Sequence, residues 1–419
     1  MYIQRNKSKY KNGTQYISTL LCHKYRKEGK IKTKVLCNLS PLPAELIESI
    51  ENILKSKTQA VVKEEDIFIE SCYDFGYIYV IEQLMKRLRI NETLEKILPK
   101  STVKLVKSMI IGKLITKGSK LSIFNWLERE KELSQRFGLE MNNLKLDDFY
   151  SSLAVLRNNK DKLDKQWFRY HNSKGNCIFL YDITSVYFEG TENELADFGY
   201  NRDGKKGKKQ IFVGLVTDAF GNPLRVEVFK GNTNDSQTVE EQILKLKIEF
   251  QAETIIFVGD RGMRIKYNIN NSEDLKNSGI QFITGLTKNE IKGLITDGII
   301  EHFRDLKSDN ICIRPVYHRN EAQTIGHIQI CFYALVIIKE LEKHIYPFLL
   351  EINKNRTTKL SFNDMLAELN KIKICELIIG KKATTLKIPK LNETQKKIFE
   401  ILNLNENQML PPAKWQCSN

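Results

Sequence analysis

The stretch Cys177-Ile178-Phe179-Leu180-Tyr181-Asp182 is a short apolar run that ends in a carboxylate. A second stretch, Thr254-Ile255-Ile256-Phe257-Val258-Gly259-Asp260, repeats the design. Short apolar runs bounded by polar residues predict buried strands. Two such strands, each delivering an Asp at its C-terminal end, would bring two carboxylates to one edge of a sheet. Carboxylate oxygens suit Mg2+, and two ions held together can clamp both the attacking and the leaving oxygen of a phosphodiester displacement. Taken alone, the same two residues are equally consistent with ending a strand and opening a turn.

The elements around them narrow the reading. Ile211–Thr217 and Leu224–Phe229 are apolar enough to be strands, and Asp218-Ala219-Phe220-Gly221-Asn222-Pro223 between them is hairpin chemistry. Ser236 is a plausible N-cap for a helix from Gln237 to Phe250. The order is β-β-β-α-β, with the two acids on the first and fourth strands. Between Glu189 and Lys209 lies a polar excursion without apolar periodicity. It carries Arg202, Lys205, Lys206, Lys208 and Lys209 spaced by two glycines. Glycine-spaced cations beside a metal-binding Asp suit a phosphate backbone; the alternative is a solvated loop.

Upstream, residues 1–40 are basic and alternate in polarity. Two strands are expected, Thr14–Leu21 and Thr33–Leu39, joined by the cation-rich segment Tyr25–Lys32. Such a ribbon can lie along a DNA groove, or it can be a sheet edge guarded by lysines. Pro43 sits just inside the start of a helix over Ala44–Lys55. From Gly76 to about Arg169 apolar residues recur at helical spacing, predicting a helical domain. Lys plus Arg number 66 against 51 Asp plus Glu, a net charge of +15, which favours a polyanionic partner. No apolar run reaches the roughly 20 residues of a membrane span, and Ile325–Ile338 is interrupted by His327 and Gln329. No signal peptide is visible. The 8 cysteines form no CxxC pair, which favours reduced thiols in a cytoplasmic protein.

The residues Tyr181-Asp182-Ile183-Thr184-Ser185, Lys208-Lys209-Gln210, Gly231-Asn232-Thr233-Asn234-Asp235 and Gly259-Asp260-Arg261-Gly262-Met263 resemble a DDE-type transposase of bacterial insertion sequences. Phe303–Asp309, Ile313–His318 and Ile325–Phe332 are similar to the C-terminal part of the same group, which carries a Tyr-Arg-Glu-Lys signature. The resemblance covers roughly residues 1–345 and is strongest from 177 to 335. It implies an RNase H-like mixed α/β sheet and a third metal-binding acid, Glu301. It implies two Mg2+ (or Mn2+) ions held by Asp182, Asp260 and Glu301. It also implies cutting of element ends and joining of them to target DNA. The expected partners are double-stranded DNA, both terminal inverted repeats and target, and a second copy of the chain assembled on that DNA. The expected location is the bacterial cytoplasm, at the nucleoid when bound, with no membrane. Arg202, Lys205, Lys206, Lys208, Lys209, Arg261, Arg304, Lys307 and Arg314 are the expected DNA contacts; Arg314 could instead pair with an active-site acid.

The chain departs from the family at the signature. There, Glu and Lys stand seven residues apart, two helical turns, and share one face. Here Glu301 to Lys307 is a six-residue step, which rotates Lys307 by about 100°. The residue seven before Lys307 is Ile300, which binds no metal. Only 40 residues separate Asp260 from Glu301, where similar members carry a long β-rich insertion. They include one further strand, Ile280–Thr284. An internal deletion accounts for both departures and opens two alternatives to an active transposase. One is a non-catalytic remnant that occupies element ends; the other is a simple metal-dependent DNA nuclease.

The expected organisation is therefore a β-ribbon and helix over residues 1–60, a helical DNA-binding or dimerisation domain over 61–170, the RNase H-like domain without its insertion over 171–345, and a helical basic tail over 346–419. Cys312, His318, His327 and Cys331 could be read as a zinc site, though the spacing matches no common finger. The alternative places His327 along a buried helix from Ile325 to His344.

Overall fold

The computed structural model describes residues 1–9, 15–27, 30–56, 67–171, 178–190, 192–199, 207–233, 255–260, 280–286, 316, 318–354, 356–379 and 383–410. Along the chain run β1 (Tyr2–Lys9), β2 (Gln15–Lys27), β3 (Lys30–Asn38), α1 (Ala44–Ser56) and β4 (Ile67–Asp74). A run of helices follows: α2 (Gly76–Arg87), α3 (Ile90–Ile97), α4 (Lys100–Thr116), α5 (Lys120–Arg129), α6 (Lys131–Arg136), α7 (Leu146–Asn158) and α8 (Lys160–His171). Then come β5 (Ile178–Tyr187), β6 (Gln210–Asp218), β7 (Pro223–Lys230), β8 (Ile255–Asp260) and β9 (Ile280–Leu286). The chain ends with α9 (Glu321–Ile352), α10 (Phe362–Asn370), β10 (Lys373–Ile379), β11 (Ala383–Lys387) and α11 (Glu393–Ile401). The chain divides into two compact units: Met1–Gly76 with Ala367–Glu400 and Asn405–Asn419, and Tyr77–Leu366 with Ile401–Leu404.

In the first unit β1, β2 and β3 form an antiparallel sheet in that order, and β11, β10 and β4 form another. The first sheet is longer than the alternation predicts. Its strands run into the basic segment that was expected to link them, as far as the pair Lys27–Lys30. Arg5 of β1 meets Glu51 of α1 at 2.5 Å. The tail was expected to be wholly helical. It carries β10 and β11 instead, and β10 pairs antiparallel with β4 across most of the chain length. In that register Cys375 faces Cys72, and a disulfide joins them with a Cα–Cα distance of 4.2 Å. The expectation of reduced thiols is corrected for this pair. Opposed residues of antiparallel strands bring their Cα atoms to about 4.5–5.5 Å, so the register alone places the two sulfurs together. Cys22, Cys37 and Cys331 form no disulfide among the described residues.

In the second unit a five-stranded sheet has the order β7-β6-β5-β8-β9. β7, β6 and β5 are antiparallel, and β5, β8 and β9 are parallel. This is the mixed strand order expected of an RNase H-like sheet. The helix expected over Gln237–Phe250 lies outside the described residues. Every residue of β6 is buried, which explains why it reads as an unbroken apolar run. The β6–β7 turn closes on Asp218, whose Oδ1 accepts from the backbone N–H of Phe220 (2.9 Å) and Asn222 (2.8 Å). Gly221 supplies the positive φ of 75° there.

Helix α9 is the hub of this unit. It packs on α7, α4 and β7, so the helical segment and the sheet share one core rather than forming separate domains. Gly326 makes the closest approach possible: a Cβ there would stand 2.2 Å from the Leu153 carbonyl oxygen of α7. By length and composition α9 could cross a membrane, yet 89% of its most apolar window is buried inside the unit. His327 and Gln329 are buried on it, as the core-helix alternative predicts. Pro347 lies within α9, which continues through the expected boundary at 345.

A buried ionic cluster joins α8, β7 and α9. Lys160 Nζ lies 2.5 Å from Asp164 Oδ2 and 3.2 Å from Glu227 Oε1. Arg225, 1% exposed, reaches Glu227 at 2.5 Å and Asp164 at 3.7 Å. Gln329 Nε2 approaches Asp164 Oδ1 at 3.5 Å. Beside it the Trp167 indole N–H donates to the Pro223 carbonyl at 3.1 Å.

A second polar cluster lies where α5 meets α9. Lys120 is 2% exposed, and its Nζ is 2.5 Å from His327 Nδ1. His327 Nε2 lies 3.8 Å from Cys331 Sγ, and its ring centre is 5.0 Å from that of His318. Burial drives the Lys120 ammonium from 10.5 down to about 7, with Lys113 reinforcing the shift and Cys331 opposing it. Burial, then the nearby Lys120 and Lys113, takes His318 from 6.5 down to about 3. Between pH 7 and about 10.5 the unfolded chain holds a proton on Lys120 that the folded chain does not, so stability rises with pH across that window. The effect is on the order of a few kcal/mol. We predict that Lys120→Met raises the melting temperature at pH 7 and flattens its climb toward pH 10. A climb of equal slope in Lys120→Met would assign the pH dependence to other groups.

Candidate active site

Asp182 stands within β5, opposite Leu215 of β6, and is half-buried. On its other side β5 pairs in parallel with β8: Ile178 with Ile256, Phe179 with Phe257, Leu180 with Val258. Both segments remain strand for two more residues. Two residues beyond Leu180 is Asp182, and two beyond Val258 is Asp260. Each aspartate thus stands two residues beyond the last β5–β8 pair, and the pairing of β8 with β9 shifts register between Gly259 and Asp260. Neighbouring strands lie about 4.8 Å apart. That spacing suits two carboxylates serving one pair of ions about 3.5–4 Å apart.

The polar excursion returns at the same end of the sheet, where β5 finishes and β6 begins. Its base is a hydrogen-bonded clasp. Asp197 and Gln210 exchange backbone hydrogen bonds at 3.1 and 2.9 Å. The Gly231 N–H donates to the Leu195 carbonyl at 3.0 Å, and Gln210 Nε2 donates to the Gly231 carbonyl at 2.9 Å. Asn232 Nδ2 donates to Asp197 Oδ2 at 2.8 Å. The Gly231-Asn232 pair is thus a strut that ties the excursion to the end of β7. Asn193 anchors the loop to the start of α9, donating to the His318 carbonyl (2.7 Å) and Thr324 Oγ1 (2.9 Å). Val316 forms a parallel bridge with Phe188, and its carbonyl accepts from the Glu189 N–H at 3.0 Å.

Gly231 leaves no room for a side chain. A Cβ would meet the Gln210 carbonyl oxygen at 2.0 Å and that of Asp197 at 2.6 Å, both backbone atoms. We predict that Gly231→Ala lowers stability by about 1–3 kcal/mol, the usual range for overpacking. The check is the urea midpoint; an unchanged midpoint would mean that the clasp adapts.

Lys208 and Lys209 are placed at the clasp. Lys208 is exposed and lies 2.6 Å from Glu189. An exposed pair of this kind is worth about 0–1 kcal/mol, so it gives way easily to a phosphate. Asp260 is placed by its backbone. Arg202, Lys205, Lys206, Arg261, Glu301, Arg304, Lys307 and Arg314 lie outside the described residues, as does Cys312. Among the described residues no three His, Cys, Asp or Glu side chains converge on a metal position, so His318, His327 and Cys331 do not make the zinc site. Sequence reading missed Asp197 as partner of the Gly231-Asn232 motif. Thirty-odd residues, including all of β6 and β7, separate the two, and no local pattern links them.

Two family models match the chain. The N-terminal domain of the IS1634 family of transposases matches residues 3–66, and the transposase DDE domain matches residues 173–358. Together they span more than half of it. No curated protein matches. Among solved structures, the catalytic domain of Mos1 mariner transposase is 12% identical, with 45% of this chain and 93% of that one covered and a TM-score of 0.19. A pre-cleavage Mos1 transpososome is 10% identical over 54% and 79%, TM-score 0.19. A Mos1 mariner paired-end complex with Mn is 11% identical over 53% and 78%, TM-score 0.16. Likenesses this remote carry no weight here; the fold rests on the strand order and on the family match.

Proposed function

Because the chain belongs to the DDE-class transposases of insertion sequences, we propose that it cuts the ends of its element and joins them to target DNA through Asp182, Asp260 and Glu301. The observation that supports this reading is the parallel pairing of β5 with β8, with Asp182 and Asp260 each two residues beyond its last pair, Leu180 with Val258. Divalent ions suit this donor set: two acidic oxygen donors, with Asp182 half-buried and in the middle of β5 rather than at its expected C-terminal end. Bound there, such ions would supply Lewis-acid polarisation of the scissile phosphate and lower the pKa of an attacking water or 3′-OH.

The rest of the work belongs to the chain. β5 and β8, held in the centre of the sheet, fix the spacing of the two acids. The Asp197–Gln210–Gly231–Asn232 clasp holds the base of the cationic loop at the same end of the sheet. Lys208 and Lys209 there favour the DNA backbone, together with Arg202, Lys205, Lys206, Arg261, Arg304, Lys307 and Arg314. Such contacts position the duplex without reading its sequence. The DNA is the pair of element ends and then the target, and a second copy of the chain assembles with it.

The shifted signature, with Ile300 in the expected place of Glu, favours a second reading: a remnant that occupies element ends without cutting them. One experiment separates these readings. A labelled duplex carrying the element's terminal repeats is incubated with Mg2+ and either the parent chain or Glu301→Ala. Nicking by the parent and its loss in the variant support Glu301 as the third acid. Binding without nicking by the parent supports the remnant. Nicking without any joined product would instead make the protein a nuclease.

A further inference from the structure

β1 accompanies β2 only as far as the pair Tyr2–Cys22. Beyond it β2 and β3 continue alone as a two-stranded arm, pairing His23 with Lys34, Lys24 with Thr33, Tyr25 with Lys32, and Arg26 with Ile31. All residues of β3 from Lys30 to Leu36 are exposed. His23, Lys24, Tyr25 and Arg26 are exposed as well, so the arm is open on both faces. A two-stranded hairpin without a covered face is at best marginally stable in water. The arm therefore adds nothing to a core, and its length calls for a partner.

Its chemistry names the partner. Opposed residues on antiparallel strands share a face, so Lys30, Lys32 and Lys34 line one face with His23 and Tyr25. The two rings lie nearly parallel, 14° apart with centres 6.4 Å apart. The lysines recur about every 6.8 Å. Among the described residues none of these three lysines has an acidic partner. These lysines lie on β3, an edge strand, where lysines also discourage strand pairing; what an edge guard does not require is the arm's projection beyond β1 with His23 and Tyr25 on the same face. The arm is about 17 Å long, and a ribbon of two strands fits the B-DNA major groove, about 12 Å wide and 8.5 Å deep.

We propose that the β2–β3 arm enters the major groove of duplex DNA, with Lys30, Lys32 and Lys34 on the phosphates that border the groove and Tyr25 at its floor. The proposal rests on the reading of the chain as a DNA transposase, and adds a contact surface remote in sequence from Asp182 and Asp260.

The test measures duplex affinity of the full chain across a salt series, for the parent and for Lys30→Gln/Lys32→Gln/Lys34→Gln. A control, Lys131→Gln/Lys162→Gln/Lys165→Gln, removes the same charge from exposed helix positions. The arm variant is expected to bind more weakly and to flatten the log-affinity against log-salt line by about 2–3 units of slope, while the control keeps the parent's line. Methylation of guanine N7, which fills the major groove, is expected to weaken the parent and to leave the arm variant's residual binding unchanged. Equal affinity and slope in parent and arm variant would overturn the arm, as would equal weakening by the control. So would loss of adsorption to phosphatidylserine vesicles with duplex binding intact. Failure of the parent to bind any duplex would overturn the transposase reading with it. The substitutions sit on exposed positions, and an unchanged circular-dichroism melt checks that folding is kept.

Discussion

Mg2+-dependent nicking of element-end DNA is expected to disappear in Asp182→Asn, while duplex binding persists. The substitution keeps shape and one oxygen but removes the charge that a hard cation needs. Losing a residue that only supports a metal ligand already costs about 10–100-fold in affinity or activity. Losing the ligand itself is therefore expected to cost more than that. Asp260→Asn should match it, because in the proposed site both carboxylates serve the same ions. The double variant should be little worse than either single one, since residues that act as a unit are not additive. Folding should be kept: Asp182 is only half-buried, and removing its charge relieves desolvation. Single-turnover nicking with circular dichroism checks all three statements. An Asp182→Asn chain that nicks within about tenfold of the parent would take Asp182 out of the site.

Arg225→Met is expected to destabilise the second unit by about 3–5 kcal/mol. Lys160, Asp164, Arg225 and Glu227 are neutral as a group and nearly excluded from solvent. Burial pushes the Asp164 carboxyl above its ordinary range, and Lys160 and Arg225 pull it back. Removing Arg225 leaves two carboxylates facing one ammonium. Typical domains are stable by only about 5–15 kcal/mol, so the loss is a large fraction of the total. Arg225→Met/Glu227→Leu removes one charge of each sign and should recover most of it, leaving Lys160 and Asp164 as a pair. Urea unfolding of the three chains provides the comparison. A single-variant loss below about 1 kcal/mol would show that water reaches the cluster.

The sheet was legible because its strands are apolar, and β6 is buried along its whole length. β5, β6, β8 and β9 read as apolar runs, and the order of strands and acids followed from them. β1 was not legible: Tyr2–Lys9 has only Tyr2 and Ile3 as apolar residues, and it is a strand because β2 lies beside it. The same holds for β10 and β11, whose lysine-rich surroundings read as helix while β4 supplies the partner edge. Buried cations were invisible for a different reason. Lysine is read as solvated, and Lys113, Lys120 and Lys160 are all at most 4% exposed. The Lys160-to-Asp164 spacing of one helical turn was the single local sign of a pair. Of the candidate site, the sequence offered two aspartates as strand ends; β8 ends at Asp260, but β5 runs five residues past Asp182. The clasp was not legible, because Asp197 and Asn232 meet only after β6 and β7 have folded back.

The pairing of β4 with β10 has a consequence for the order of events during synthesis. Cys72 and Cys375 are separated by 303 residues. At about 5–20 residues per second, β4 leaves the ribosome some tens of seconds before its partner exists. The β2–β3 arm pairs residues close in sequence, down to Lys27 with Lys30, and can form at once. The second sheet of the same unit must wait until the whole second unit has been made. A chain released early would carry a finished arm beside an exposed β4 edge, a template for pairing with another chain. Completion of the polypeptide is thus built into the fold as a condition for a protected N-terminal unit.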